Sequence, residues 1–179
     1  MVHFTEAITR EHLEDIHKLA QKIWQEHYSN ILTDGQIQYM VSNFQSPDAM
    51  ETQLKEGYQY FQILSKNEID GREVNTLVGY FSFVQKNDSG DLSKNNSIFL
   101  SKLYIQKTSR NQGIAKSVVA YLKRIAQKSS CNSIWLTVNK QNMNSIEAYK
   151  RLGFKIYRED SVDIGRGYVM DDYYMKIEL

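Results

Sequence analysis

The feature that most constrains this chain is a change of period on either side of Gly113. An apolar run from Ile98 to Ile105 reads as a buried strand. The hexapeptide Arg110-Asn111-Gln112-Gly113-Ile114-Ala115 follows, and from Ile114 to Ala126 the apolar residues fall at helical spacing. A strand that feeds a glycine loop and then a helix must belong to a layered fold, with the helix packed over a sheet. The same arrangement aims several backbone N–H groups out of the positive end of the helix, which is a phosphate-binding device. Lys107, Arg110 and Lys116 are placed to add charge-assisted contacts.

Competing phosphate motifs fit worse. A Walker A loop needs glycine directly before Lys-Ser. Here Ala115 precedes Lys116-Ser117, and Arg110 takes the place of the first glycine. A dinucleotide fingerprint needs three glycines, and only Gly113 is present. An ordinary strand–helix turn is the plain alternative for the hexapeptide taken alone.

The rest of the chain can be read around this unit. Val2 to Ile8 predicts a first strand. Thr9 is placed to cap a helix over Arg10 to His27, with Leu13, Ile16, Leu19, Ala20 and Ile23 on one face. Thr33 and Gln36 have capping-box spacing and open a second helix carrying Ile37, Met40, Val41 and Phe44. Ser46-Pro47 reads as the cap and first position of a third, ending near Gly57. Then the period becomes two. Tyr58 to Leu64 and Leu77 to Val84 read as strands before Ile98 to Ile105. Asp70-Gly71 marks one hairpin loop, and residues 87–96, with Ser89-Gly90, are expected to make a longer, polar one. A helix over Gln112 to Lys128, a strand over Ile134 to Val138 and a helix over Asn144 to Leu152 come next. Strands over Phe154 to Arg158 and Tyr168 to Ile177 close the order. Hairpins followed by a strand–helix–strand unit imply a mixed sheet, mostly antiparallel, with helices on both faces.

Composition removes several classes of function. The chain has 179 residues, enough for one domain with a sizeable core, and no linker or repeat divides it. Net charge is +1, which gives no reason to expect nucleic acid or an anionic membrane as partner. No apolar run approaches the ~18 residues a membrane span needs, and the first residues lack the pattern of a signal peptide. Cys131 is the only cysteine, so no internal disulfide forms and a cytoplasmic location fits. His3, His12, His17 and His27 make no convincing metal set, and no metal is expected.

A second block stands downstream: Leu136-x-Val138-Asn139-x-x-Asn142, then Ala148-Tyr149 and Leu152-Gly153-Phe154. The two blocks together, in this order, resemble the GCN5-related N-acetyltransferase (GNAT) family. The family loop reads Arg/Gln-x-x-Gly-x-Gly/Ala, matched here by Arg110, Gly113 and Ala115. Asn111 stands where glycine is frequent, at small cost if its side chain faces solvent. The resemblance covers nearly the whole chain. It implies the GNAT fold, an α/β (α+β) architecture, in a single N-acetyltransferase domain over residues 1–179.

What the resemblance implies for the site is specific. Acetyl-CoA, the co-substrate, places its pyrophosphate on Arg110, Asn111, Gln112, Gly113, Ile114, Ala115 and Lys116. Its pantetheine arm pairs with the backbone of Leu103, Tyr104 and Ile105 as an added strand. One N–H of that strand serves as oxyanion donor. Asn142 contacts the same arm, while Asn142 or Asn144 is also suited to cap the following helix. Tyr149, two helical turns beyond Asn142, assists thiolate departure; its plain alternative is to pack the helix on the sheet. Gly153 ends that helix. Lys150 or Arg151 reaches the 3′-phosphate or simply solvates a helix face.

The acceptor groove is expected at the junction of the first two helices, with Trp24, His27, Tyr28, Ile31 and Leu32. Trp24 to Met40, with Phe44, resembles a bacterial branch that includes polyamine N-acetyltransferases. Aromatic rings with acids nearby suit an organic cation; Glu26, Asp34, Glu56, Asp171 and Asp172 are available. Packed core and solvated surface are the plain alternatives for these residues. Glu26 is the candidate base, and His27 is a second. The expected reaction is acetyl transfer to a primary amine, possible polyamines leading, by direct attack on the thioester. The alternatives are a protein N-terminal or lysine acetyltransferase, and a non-catalytic acyl-CoA-binding regulator. Family members often pair, so a homodimer is compatible.

Overall fold

The computed structural model describes residues 2–87 and 96–179. The expected 87–96 loop, with Ser89-Gly90, therefore lies largely outside the described residues. Among the described residues the order is β1 (Val2–Glu6), α1 (Arg10–Tyr28), α2 (Asp34–Phe44), α3 (Pro47–Lys55), β2 (Gln59–Ile69), β3 (Arg72–Gln85), β4 (Ser97–Ile105), α4 (Ile114–Lys128), β5 (Ser133–Asn139), α5 (Met143–Arg151), β6 (Lys155–Gly165) and β7 (Tyr168–Glu178). A 3₁₀ turn, Lys107–Ser109, precedes α4. The strands are ordered β1-β2-β3-β4-β5-β7-β6, and the sheet is mixed. β4 and β5 run parallel, whereas β1–β2, β2–β3, β5–β7 and β6–β7 are antiparallel.

Contacts group the chain into two compact units, residues 1–83 with 102–115, and residues 84–101 with 116–179. In the first unit the three helices begin where their caps predict. Thr9 Oγ1 accepts from His12 N–H, Thr33 Oγ1 from Gln36 N–H, and Ser46 Oγ from Ala49 N–H. Each cap satisfies a first-turn donor that has no acceptor inside its own helix. Arg10 ties α1 to α3 through Asp48 (2.6 Å) and Glu51 (3.0 Å). The core beneath is apolar and aromatic: Leu13, Ile16, Ile23, Met50, Ile63, Tyr80 and Phe81 are nearly solvent-free. The β2–β3 hairpin turns at Asp70 (φ 51°) and Gly71 (φ 72°), the two left-handed residues of a type I′ loop.

In the second unit Ile98, Ile134, Leu136 and Met175 are buried, as are Val118, Leu122 and Ala126 of α4 and Ile146 of α5. The parallel ladder is short, running from Ser97↔Ser133 to Phe99↔Trp135. β4 itself continues to Ile105 and β5 to Asn139. β1 stops at Glu6, short of the expected Ile8, which is 66% exposed. The final hairpin is longer than the hydrophobic pattern predicts, since β6 carries a polar stretch through Asp163 to Gly165.

Candidate functional site

The first unit holds the glycine loop. β4 ends at Ile105, and Gln106 N–H then donates to Val78 O at 2.9 Å, which pins the exit of the strand to β3. Ser109 N–H donates to Gln106 O (3.0 Å), and Gln106 Nε2 donates to Ser109 Oγ (3.2 Å). Gln112 folds its side chain back onto Thr108 O at 3.3 Å. Asn111 (φ 62°) and Gly113 (φ 76°) are both left-handed. Neither has helical φ, so α4 begins at Ile114 and not at the expected Gln112. Position 111 is left-handed, and an exposed Asn is, after glycine, the residue that best tolerates it. A Cβ built at Gly113 meets nothing within 4 Å, so the backbone here is open to close approach. The loop thus leads into the N-terminus of a fifteen-residue helix with Lys107 and Lys116 exposed beside it, an arrangement a phosphate ligand can use.

Arg110 is fixed from two sides. Its Nε–H donates to Ile105 O at 2.9 Å, and its Nη1 lies 3.3 Å from His27 Nδ1 in the last turn of α1. Beside His27 the aromatic residues form a continuous group. Trp24 lies against Tyr28 (4.5 Å between ring centroids) and Tyr104 (5.5 Å), and Tyr104 against Tyr80 (5.3 Å). Trp24, His27 and Tyr28 thus come together with Tyr104 and Arg110. Trp24 is 3% exposed and is a core residue as much as a wall; His27 and Tyr28 are half-buried. Glu26 is exposed on the same helix.

Sequence reading missed Gly79. A Cβ there would lie 2.6 Å from Tyr104 O and 3.2 Å from Ile105 Cα, both backbone atoms. The absence of a side chain lets β3 approach the last residues of β4. A lone glycine inside a strand pattern is the signal that marks such an approach.

The second unit holds Asn142 and Tyr149. Asn142 is buried and caps α5, its Oδ1 accepting from Ser145 N–H at 3.3 Å. That decides between Asn142 and Asn144 as the cap. The amide nitrogen and the second lone pair of the oxygen remain for other contacts. At the other end of α5, Phe154 N–H donates to Tyr149 O (3.0 Å) and Gly153 N–H to Lys150 O (3.0 Å), with Gly153 at φ 98°. This is a Schellman motif, and Tyr149 and Phe154 supply its apolar contact at 5.7 Å between centroids. The run Ala-Tyr-x-x-x-Gly-Phe therefore has a structural reason. Tyr149 keeps its ring on Phe154 and is half-buried.

Asp172 was named only as one acid among five, and the structure sets it apart. It lies opposite Asn139 in the β5–β7 ladder, 7% exposed. Burial pushes its carboxyl up to about 6, helped by the neighbouring charge of Asp171 and opposed by the Thr137 hydroxyl. Asp171 goes the other way: its ion pair with Lys140 (2.7 Å) holds it below the usual carboxylate range. Above pH 6 the folded chain carries the cost of a buried charge at Asp172. That cost is relieved as pH falls from 6 towards 3.8. Asp172→Asn is therefore expected to stabilise the protein by about 2 kcal/mol at pH 7.5. The gain should shrink to nearly nothing at pH 4. Urea midpoints of both proteins at the two pH values check this.

Among the described residues no group of three or more His, Cys, Asp or Glu side chains is placed to hold a metal ion. Among them, too, no helix is long and apolar enough to cross a membrane.

Comparison with known proteins gives a consistent picture. The profile of the Acetyltransferase (GNAT) family matches residues 13–154. A probable spermine N(1)-acetyltransferase of Bacillus subtilis subsp. natto is 26% identical over 84 residues. A spermine/spermidine N(1)-acetyltransferase of Bacillus subtilis is 25% identical over 84 residues. Each match covers 46% of this chain and 55% of the relative, so the chain spans about half the length of these relatives. Among solved structures, the PaiA N-acetyltransferase of Thermoplasma acidophilum, in complex with coenzyme A, superimposes with a TM-score of 0.74 at 18% identity. That match covers 100% of this chain and 99% of the other. NAA60 of Arabidopsis thaliana, in complex with a bisubstrate analogue, gives 0.68 at 17% identity over 100% and 99%. At such identities the likeness is one of fold.

Proposed function

Because the chain belongs to the GNAT acetyltransferase family, we propose that it is an acetyl-CoA-dependent N-acetyltransferase acting on a primary amine. The observation that carries this reading is the loop before α4. Two left-handed residues free a helix N-terminus, and Arg110 is already held beside it. Residues 110–116 take the pyrophosphate. The last residues of β4, Leu103 to Ile105, offer backbone groups to the pantetheine arm. Support comes from the ladder with β5, which ends at Phe99 well before β4 does. Tyr149 gives its phenolic proton to the departing thiolate, and the Asn142 amide assists the arm. The amine attacks the thioester directly, so proximity and oxyanion stabilisation supply much of the rate and no covalent enzyme intermediate is needed.

For the acceptor, a polyamine is the leading proposal. Support comes from the two Bacillus relatives and from the aromatic group at the α1–α2 junction, where ring faces suit an organic cation. Acetylation of a protein N-terminus or lysine is the second reading. The test is release of free thiol from acetyl-CoA with spermidine, spermine, aminoglycosides, amino acids and short peptides. Release that depends on spermidine or spermine is expected. Release with peptides alone would move the substrate to protein. Failure of acetyl-CoA to bind would sink the reading.

A further inference from the structure

One contact of the loop reaches a different element of the first unit. His27, in the last turn of α1, stands 83 positions from Arg110 in sequence and 3.3 Å from it in space. A guanidinium only donates hydrogen bonds, so His27 Nδ1 must be the acceptor. The ring is then the tautomer with its proton on Nε2. In that state it has no free lone pair with which to take a proton from an amine.

We infer that His27 is a positioning residue for acetyl-CoA: it holds the Arg110 guanidinium in the orientation that receives the pyrophosphate. This rests on the acetyltransferase reading above. Arg110 has five N–H donors. The Nε–H is spent on Ile105 O and one Nη1–H on His27. The other Nη1–H and both Nη2–H groups remain for phosphate oxygens. Both anchors are themselves held. Ile105 ends β4, next to the close approach at Gly79. The His27 ring packs edge-on against Tyr28 at 4.8 Å, and Tyr28 lies on Trp24. A long flexible side chain is thereby ordered before the ligand arrives, which lowers the entropy lost on binding. The same contact joins the wall proposed for the acceptor to the loop proposed for the donor.

The test separates the two donor halves. Binding and KM are measured for acetyl-CoA and for acetyl-pantetheine, which lacks the pyrophosphate, in wild type, His27→Leu, His27→Asn and Arg110→Ala. His27→Leu should weaken acetyl-CoA about tenfold and leave acetyl-pantetheine unchanged. His27→Asn, whose Oδ1 can accept near the place of Nδ1, should recover most of the loss. His27→Leu added to Arg110→Ala should cost nothing further. Nitrogen chemical shifts of the His27 ring should show the proton on Nε2. A proton on Nδ1, an equal loss for both donors, or full additivity with Arg110→Ala overturns the inference while leaving the acetyltransferase reading intact. Absence of acetyl-CoA binding in wild type overturns both.

Discussion

Gly79→Ala is expected to cost about 3 kcal/mol of folding stability and to weaken acetyl-CoA binding in the protein that still folds. The new Cβ would sit 2.6 Å from Tyr104 O and 3.2 Å from Ile105 Cα. Neither atom belongs to a side chain that can rotate away. The third neighbour, Ile63 Cδ1 at 3.3 Å, can shift, but it does not relieve the other two. β3 must therefore move from the end of β4, against the bond from Gln106 N–H to Val78 O. The displaced residues are those proposed to pair with the pantetheine arm, so stability and donor affinity should fall together. Urea unfolding and calorimetric titration with acetyl-CoA check the pair. An alanine variant as stable as wild type would mean that the strands separate at little cost. As a control, Gly71→Asn should be mild, because its Cβ meets nothing within 4 Å and Asn accepts the left-handed turn.

Tyr149→Phe is expected to lower kcat about a hundredfold with little change in KM for acetyl-CoA. The substitution is informative because the ring has a second task. Tyr149 supplies the apolar contact of the Schellman motif through Phe154, and phenylalanine keeps that contact. Only the hydroxyl is lost. The lock at the end of α5 is kept, and the loss should appear in turnover. Tyr149→Ala would confuse the two roles, since it also removes the lock at the end of α5. Unchanged turnover in Tyr149→Phe would assign the residue to packing only.

What the sequence made legible was what neighbouring residues decide. Thr9, Thr33 and Ser46 stand three residues before the N–H groups they satisfy, and all three helix starts were read correctly. Gly153 and the Asp70-Gly71 turn are equally local. The turn before α4 was legible for the same reason, although α4 starts two residues late because Asn111 and Gly113 are left-handed. Strand ends were harder. β6 runs on to Gly165 through polar residues held by pairing with β7, which no pattern in β6 announces. Hardest were features made by distant partners. Nothing near Gly79 names Tyr104, nothing near His27 names Arg110, and Asp172 looks no different from Asp171 until burial is known. The contact between Trp24 and Tyr28 beside His27 was foreseen, but the depth of Trp24 was not.

Cys131 is the only sulfhydryl in the chain; it is 7% exposed, and burial raises its pKa. A disulfide reagent used at mildly alkaline pH will therefore react with liberated coenzyme thiol far faster than with the protein. Colour development then counts turnovers against a quiet background. The same inertness makes the protein a ready host for labelling. A cysteine introduced at an exposed position would be the one fast-reacting thiol, and a fluorophore could be attached there without removal of Cys131.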